Sequence, residues 1–123
     1  MDAALKILAV DNQPTVRLSL QYIFAGPNYD LTTVESGGDA LAKLDSSAKT
    51  FDVIIVDQKM PDLTGLELVR TIRKRHIGGK IVVMSAHLSS DVREAFGQLN
   101  VQGIFTKPFD IAELRSAVDR LAA

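Results

Sequence analysis

The chain has no cysteine among its 123 residues, which excludes disulfides, thiolate catalysis and thiolate metal sites. It has no excess of either charge: 14 Lys and Arg against 15 Asp and Glu leave a formal net charge of −1. Such a balance provides no bulk attraction to nucleic acid or to an anionic lipid surface. No stretch approaches the roughly 18 apolar residues of a membrane span. The first ten residues are too short an apolar segment for a secretory signal, and they include Asp2. A cytoplasmic protein is therefore expected. Neither G-x-G-x-x-G nor G-x-x-x-x-G-K-[ST] occurs, so nucleotide phosphates have no glycine-rich cradle.

What is present is an alternation. Hydrophobic residues make up 46% and charged residues 24%, ordinary for a soluble domain, and the length suits one domain with a real core. Five apolar runs are separated by amphipathic stretches. Leu5–Val10 predicts a strand ending at Asp11; Pro14 then opens a helix whose apolar face is Val16, Leu20, Ile23 and Phe24, stopped by Gly26-Pro27. Residues 30–34 predict a more polar edge strand, and Ser36 an N-cap for a helix striped with Ala40, Leu41 and Leu44. Residues 51–57 predict the third strand; its run Val53, Ile54, Ile55, Val56 suits a strand buried on both faces of a parallel sheet. Leu66, Val69 and Ile72 mark a third helix ended by Gly78-Gly79, and residues 80–84 a fourth strand ending at Ser85. Ser89, Ser90 and Asp91 compete to cap a helix with Val92, Ala95, Phe96 and Leu99 on its face. Gly103–Thr106 is the fifth strand, followed by Lys107-Pro108; Asp110 and Glu113 stand at capping-box spacing before Ile111, Leu114, Val118 and Leu121 of the last helix. Strict alternation predicts a doubly wound parallel sheet with helices on both faces. No repeat or linker interrupts residues 1–123, which read as a single domain.

All strand ends of a parallel sheet share one rim, so Asp11, Asp57, Ser85 and Lys107 converge there. In the order 2-1-3-4-5, strands one and three are neighbours at the switch point, where open α/β sheets bind ligands. Asp11 and Asp57 would then share a cleft, an unfavourable pairing unless a cation lies between them. A hard divalent ion such as magnesium suits those oxygens, and Lys107 adds a second positive group. Taken singly each residue has a plainer reading: Asp57 as a turn acid, Asp11 as a helix cap, Ser85 as a turn hydroxyl, Lys107 as a solvated loop lysine. The set of four favours function.

These residues, in Val10-Asp11-Asn12, Asp57-x-x-Met60-Pro61, Ser85-Ala86 and Lys107-Pro108-Phe109, resemble the receiver domain of bacterial two-component response regulators over essentially the whole chain. The resemblance implies a flavodoxin-like fold of five strands and five helices. It implies Asp57 as phosphoacceptor and Mg2+ held by Asp11, Asn12, Asp57 and the Lys59 backbone carbonyl. Lys107 would pair with a phosphoryl oxygen and Ser85 reorient to donate to another, next to a cis Lys107-Pro108 bond. The partners implied are a histidine kinase or histidine phosphotransfer protein and an unidentified downstream protein, with no DNA or membrane contact and a monomer or weak homodimer. Two positions depart from the family pattern. Asn12 stands where a second acid usually ligates the metal, predicting weaker magnesium binding. Ile104 stands where an aromatic often swings with the switch hydroxyl, and Phe105 should face the other side of the strand. Lys59 and His87, two positions past Asp57 and Ser85, are expected to shield the phosphoryl group from water.

Two other classes compete. A pseudo-receiver would keep the fold as a protein-interaction module without being phosphorylated. A phosphatase of the haloacid dehalogenase type would need an acid two residues after its nucleophile, where this chain has Lys59, and a cap segment. The Arg70, Arg73, Lys74 and Arg75 cluster reads as a solvated complement to the helix dipole, Phe96, Phe105 and Phe109 as packing, and Leu88 and Val92 as a candidate partner surface.

Overall fold

Strands that are apolar on both sides must be covered on both sides, and the central strand shows it. In the computed structural model, which describes residues 4–46 and 50–122, all five residues of β3 (Val53–Asp57) are buried. Around it lie β1 (Leu5–Val10), β2 (Tyr29–Val34), β4 (Lys80–Ser85) and β5 (Gly103–Thr106), in the parallel order β2-β1-β3-β4-β5. The helices α1 (Pro14–Ile23), α2 (Gly37–Asp45), α3 (Gly65–Lys74), α4 (Ser90–Gln98) and α5 (Ile111–Ala122) fill the crossovers. This is the expected flavodoxin-like, doubly wound arrangement, with β2 at an edge.

Alternate strand residues feed two cores. One gathers Leu8, Val10, Ile54, Val56, Ile81 and Val83 with Ala40, Leu68, Val69, Ile72 and Phe96. The other gathers Ile7, Ala9, Val53, Ile55, Val82 and Met84 with Leu20, Ile23, Leu114 and Val118. Ile104 packs on the first core and Phe105 on the second, so they face opposite sides as expected. Leu88 and Val92 are half-buried against the first core and keep part of their surface exposed.

The caps follow local chemistry. Ser36 accepts from Asp39 N–H, Ser89 from Val92 N–H and Asp110 from Glu113 N–H. Thr64 and Glu67 form a reciprocal capping box on α3 that the sequence reading passed over. Three boundaries differ from expectation. β3 begins at Val53, just after Asp52, whose carboxylate accepts from Lys6 N–H at 2.9 Å. β2 begins one residue earlier, at Tyr29. α3 stops at Lys74, short of Gly78: His76 takes a left-handed φ of 56°, Ile77 N–H returns to Ile72 O, and His76 N–H to Arg73 O. That closes the helix in the manner usually given to glycine.

The basic cluster also needs correcting. Arg73 is not a solvated end charge. It donates to the carbonyls of Leu99 (2.9 Å), Asn100 (3.0 Å) and Gly79 (3.4 Å), pinning the end of α4 to α3. Burial lowers its pKa from the usual arginine value. Arg75 pairs with Asp45 at 2.7 Å. Among the described residues no helix is long and apolar enough to cross a membrane.

Candidate functional site

Register brings the acids together. Val10 pairs with Val56 across β1 and β3, so Asp11 emerges beside Asp57 as both strands end. Asp57 lies opposite Met84 on β4, and Ser85 opposite Thr106 on β5, one residue before Lys107. Asp11, Asp57 and Ser85 are the buried polar residues of the chain among those described. Asp57, Ser85 and Lys107 line one cleft of about 470 Å³ with Asn12, Gln13, Lys59, Ala86 and His87.

The Lys107 ammonium joins the two carboxylates. It donates to Asp11 Oδ2 at 2.7 Å and lies 3.3 Å from Asp57 Oδ1. The Lys107-Pro108 bond is cis. One lysine does not balance two buried carboxylates. Burial, then the negative charge of Asp11, pushes the Asp57 pKa above its ordinary 3.8, while Lys107 and a backbone hydrogen bond from Lys59 pull the other way. Ser85 Oγ donates to the His87 carbonyl at 3.1 Å, within its own loop, rather than to Asp57. The Asn12, Lys59 and His87 side chains are exposed around the cleft.

This donor set fits a hard cation. Two buried carboxylates with excess negative charge and a neutral amide oxygen offer the ligands magnesium prefers. The carboxylates number only two. Among the described residues no three acidic, histidine or cysteine side chains gather in a metal-holding group, and the residue after Asp11 is the neutral Asn12.

Several supporting residues escaped the sequence reading. Gln13 donates its backbone N–H to Asp11 Oδ1 at 2.9 Å and accepts from Lys107 through Oε1 at 3.0 Å. Arg17 clamps the Asp11 carbonyl at 2.8 Å. Gln58 Oε1 accepts from Leu66 N–H at 2.8 Å, tying the acid's neighbour to the start of α3. Gly65 fits against the backbone of that same loop: a Cβ there would come within 2.5 Å of Asp57 O and 2.8 Å of Gln58 Cα. Asp62 caps α2 from across the loop, accepting from Gly37 and Gly38 N–H groups at 3.1 and 2.8 Å, which lowers its pKa. The one usable sequence signal was Gly65, a glycine between a helix cap and an apolar stripe, where a close backbone approach accounts for a missing side chain.

Comparison with known proteins gives a consistent answer. The sequence model of the response regulator receiver domain matches residues 7–119. The DNA-binding transcriptional regulator NtrC of Salmonella typhimurium is 35% identical over 114 residues, 93% of this chain but 24% of NtrC, so the chain spans about a quarter of that relative's length. Sporulation initiation phosphotransferase F of Bacillus subtilis is 29% identical over 94% of this chain and 91% of its own. The response regulator protein TrrA of Thermotoga maritima, solved with magnesium and BeF, superposes with a TM-score of 0.80 at 30% identity, covering 95% of this chain and 98% of TrrA.

Proposed function

The chain belongs to the response regulator receiver domains of two-component systems, and from that premise we propose that Asp57 is its phosphoacceptor, within a single receiver domain made of residues 1–123. The observation that carries the reading is the Lys107 ammonium set between two buried carboxylates, 2.7 and 3.3 Å away, at the mouth of a cleft that Ser85 also lines.

In this reading an Asp57 oxygen attacks the phosphorus of a phosphohistidine on a kinase or phosphotransfer protein. The P–N bond breaks, the imidazole leaves with the bonding pair and takes up a proton, and an acyl phosphate remains on Asp57. Attack requires the ionised carboxylate, the form that burial and Asp11 disfavour. Positive charge must therefore accompany it. Receiver domains bind Mg2+ at their acidic pocket; here Asp11, Asn12, Asp57 and the Lys59 carbonyl would hold it, and it supplies charge neutralisation for the transferring oxygens. Lys107 pairs with one phosphoryl oxygen. Ser85 gives up the His87 carbonyl to donate to another. Lys59 and His87, exposed at the rim, shield the acyl phosphate from water. The switch then alters binding of a downstream protein. The protein works in the cytoplasm as a monomer or weak homodimer, as a signalling element rather than a turnover enzyme.

Intact mass after incubation with Mg2+ and acetyl phosphate tests this. One added phosphoryl group is expected, absent in Asp57→Asn. Absence of any gain, with acetyl phosphate or with a cognate kinase, would leave an interaction module instead of a switch.

A further inference from the structure

Lys107 is held asymmetrically. Its hydrogen bonds run to Asp11 Oδ2 (2.7 Å) and Gln13 Oε1 (3.0 Å), whereas its contact with Asp57 is a longer ion pair of 3.3 Å. Gln13 is the N-cap residue of α1, yet its side chain makes no cap hydrogen bond. It turns to the ammonium instead. Its backbone N–H meanwhile fixes the other oxygen of Asp11 at 2.9 Å. Asp11, Gln13 and Lys107 thus close a ring of three hydrogen bonds on the β1 side of the cleft. The ammonium is an internal counter-cation for the same carboxylates that a metal would need.

We propose that Gln13 is a positioning residue that holds Lys107 on Asp11 in the resting domain, so that it sets how readily a divalent cation takes Asp11 over. The inference rests on the metal-dependent phosphoacceptor reading above and deepens it. Two charges cannot share the Asp11 oxygens on equal terms, and an arriving divalent cation competes with the ammonium. Asn12 sharpens the competition, because it adds no charge to favour the metal. The side-chain carbonyl of Gln13 is neutral and therefore weights the resting position of the lysine.

The test is Mg2+ affinity, read by NMR-monitored titration of backbone amides without any phosphodonor. The same spectra report whether each variant is folded. Gln13→Met keeps length and the backbone N–H but loses the acceptor. Its Kd for Mg2+ should fall by roughly three- to tenfold, the range expected from deleting one ordinary hydrogen bond at a solvent-exposed site. In a Lys107→Met background the same Gln13→Met change should leave Kd where it was, because the competitor is gone. Unchanged or weaker Mg2+ binding in Gln13→Met overturns the inference. So does an equal shift with and without Lys107, which would mark a generic effect on the loop. If the wild type takes up neither Mg2+ nor a phosphoryl group, the phosphoacceptor reading fails as well. If it takes up both while Gln13→Met is silent, the inference alone fails.

Discussion

The two ends of the sheet hold clefts of similar size and opposite character. At the carboxyl ends of the strands, about 470 Å³ is lined by Asp57, Ser85 and Lys107. At the amino ends, about 510 Å³ is lined by Phe51, Asp52, Arg73, Gly79, Lys80, Asn100 and Gln102. Volume does not separate them. The use of charge does. Arg73 spends its guanidinium on three backbone carbonyls, and Asp52 spends its carboxylate on Lys6 N–H. Those groups complete the fold. At the other end two buried carboxylates share one ammonium, and a serine is occupied by a carbonyl of its own loop. In the proposed reading those groups change partners while the fold stays, which is what a switch requires.

Substitutions at the two ends can break this comparison. The largest effect is expected from Lys107→Met, which strands two buried acids: roughly 3–5 kcal/mol of stability lost in metal-free buffer, with much of it regained on adding Mg2+. Urea unfolding with and without Mg2+ checks it, and a loss that Mg2+ fails to restore would place Lys107 with the structural charges of the other end. Arg73→Met should cost about 1.5–3 kcal/mol, the scale of charged hydrogen bonds to carbonyls. No Mg2+ rescue should follow, and phosphoryl uptake on Asp57 should persist, as read by intact mass. A domain that stays folded but stops accepting phosphate would erase the distinction between the ends.

The smallest effect concerns pH. The Asp57 pKa is raised in the folded protein from an ordinary 3.8. The folded state therefore binds more protons than the unfolded chain across the interval from 3.8 up to the raised value, so stability falls as pH rises through it. Asparagine does not titrate. Asp57→Asn should be more stable than wild type at neutral pH without metal, and the gain should close as pH drops towards 3.8. A gain independent of pH would remove the electrostatic cause.

Most of this architecture was legible because burial imposes its own pattern. The run from Val53 to Val56 is apolar without alternation, and only a strand covered on both faces tolerates that. The rim followed from topology, since parallel strands deliver Asp11, Asp57, Ser85 and Lys107 to one edge however their loops run. Less legible was anything decided by side chains reaching across sequence. Arg73 looked like one of four solvated cations, and nothing local says that Leu99 and Asn100 offer it carbonyls. Nothing local marks Gln13, the residue before Pro14, because its partner lies 94 positions away. The end of α3 was misplaced because His76 adopts a backbone conformation that favours glycine, and the sequence supplies glycines two residues later.

Arg115 donates two hydrogen bonds to the Ile23 carbonyl, and Tyr29 Oη donates to Asp119 at 2.7 Å, so α5 is fastened to the first helix and the edge strand. Helix α4 is fastened by Arg73 just past its last turn, while its first turn is capped by Ser89 and packs Val92 on the first core. It is mounted like a lever with a fixed heel. A pull on the Ser85–His87 loop that precedes its first turn would act farthest from that heel, at Ser89.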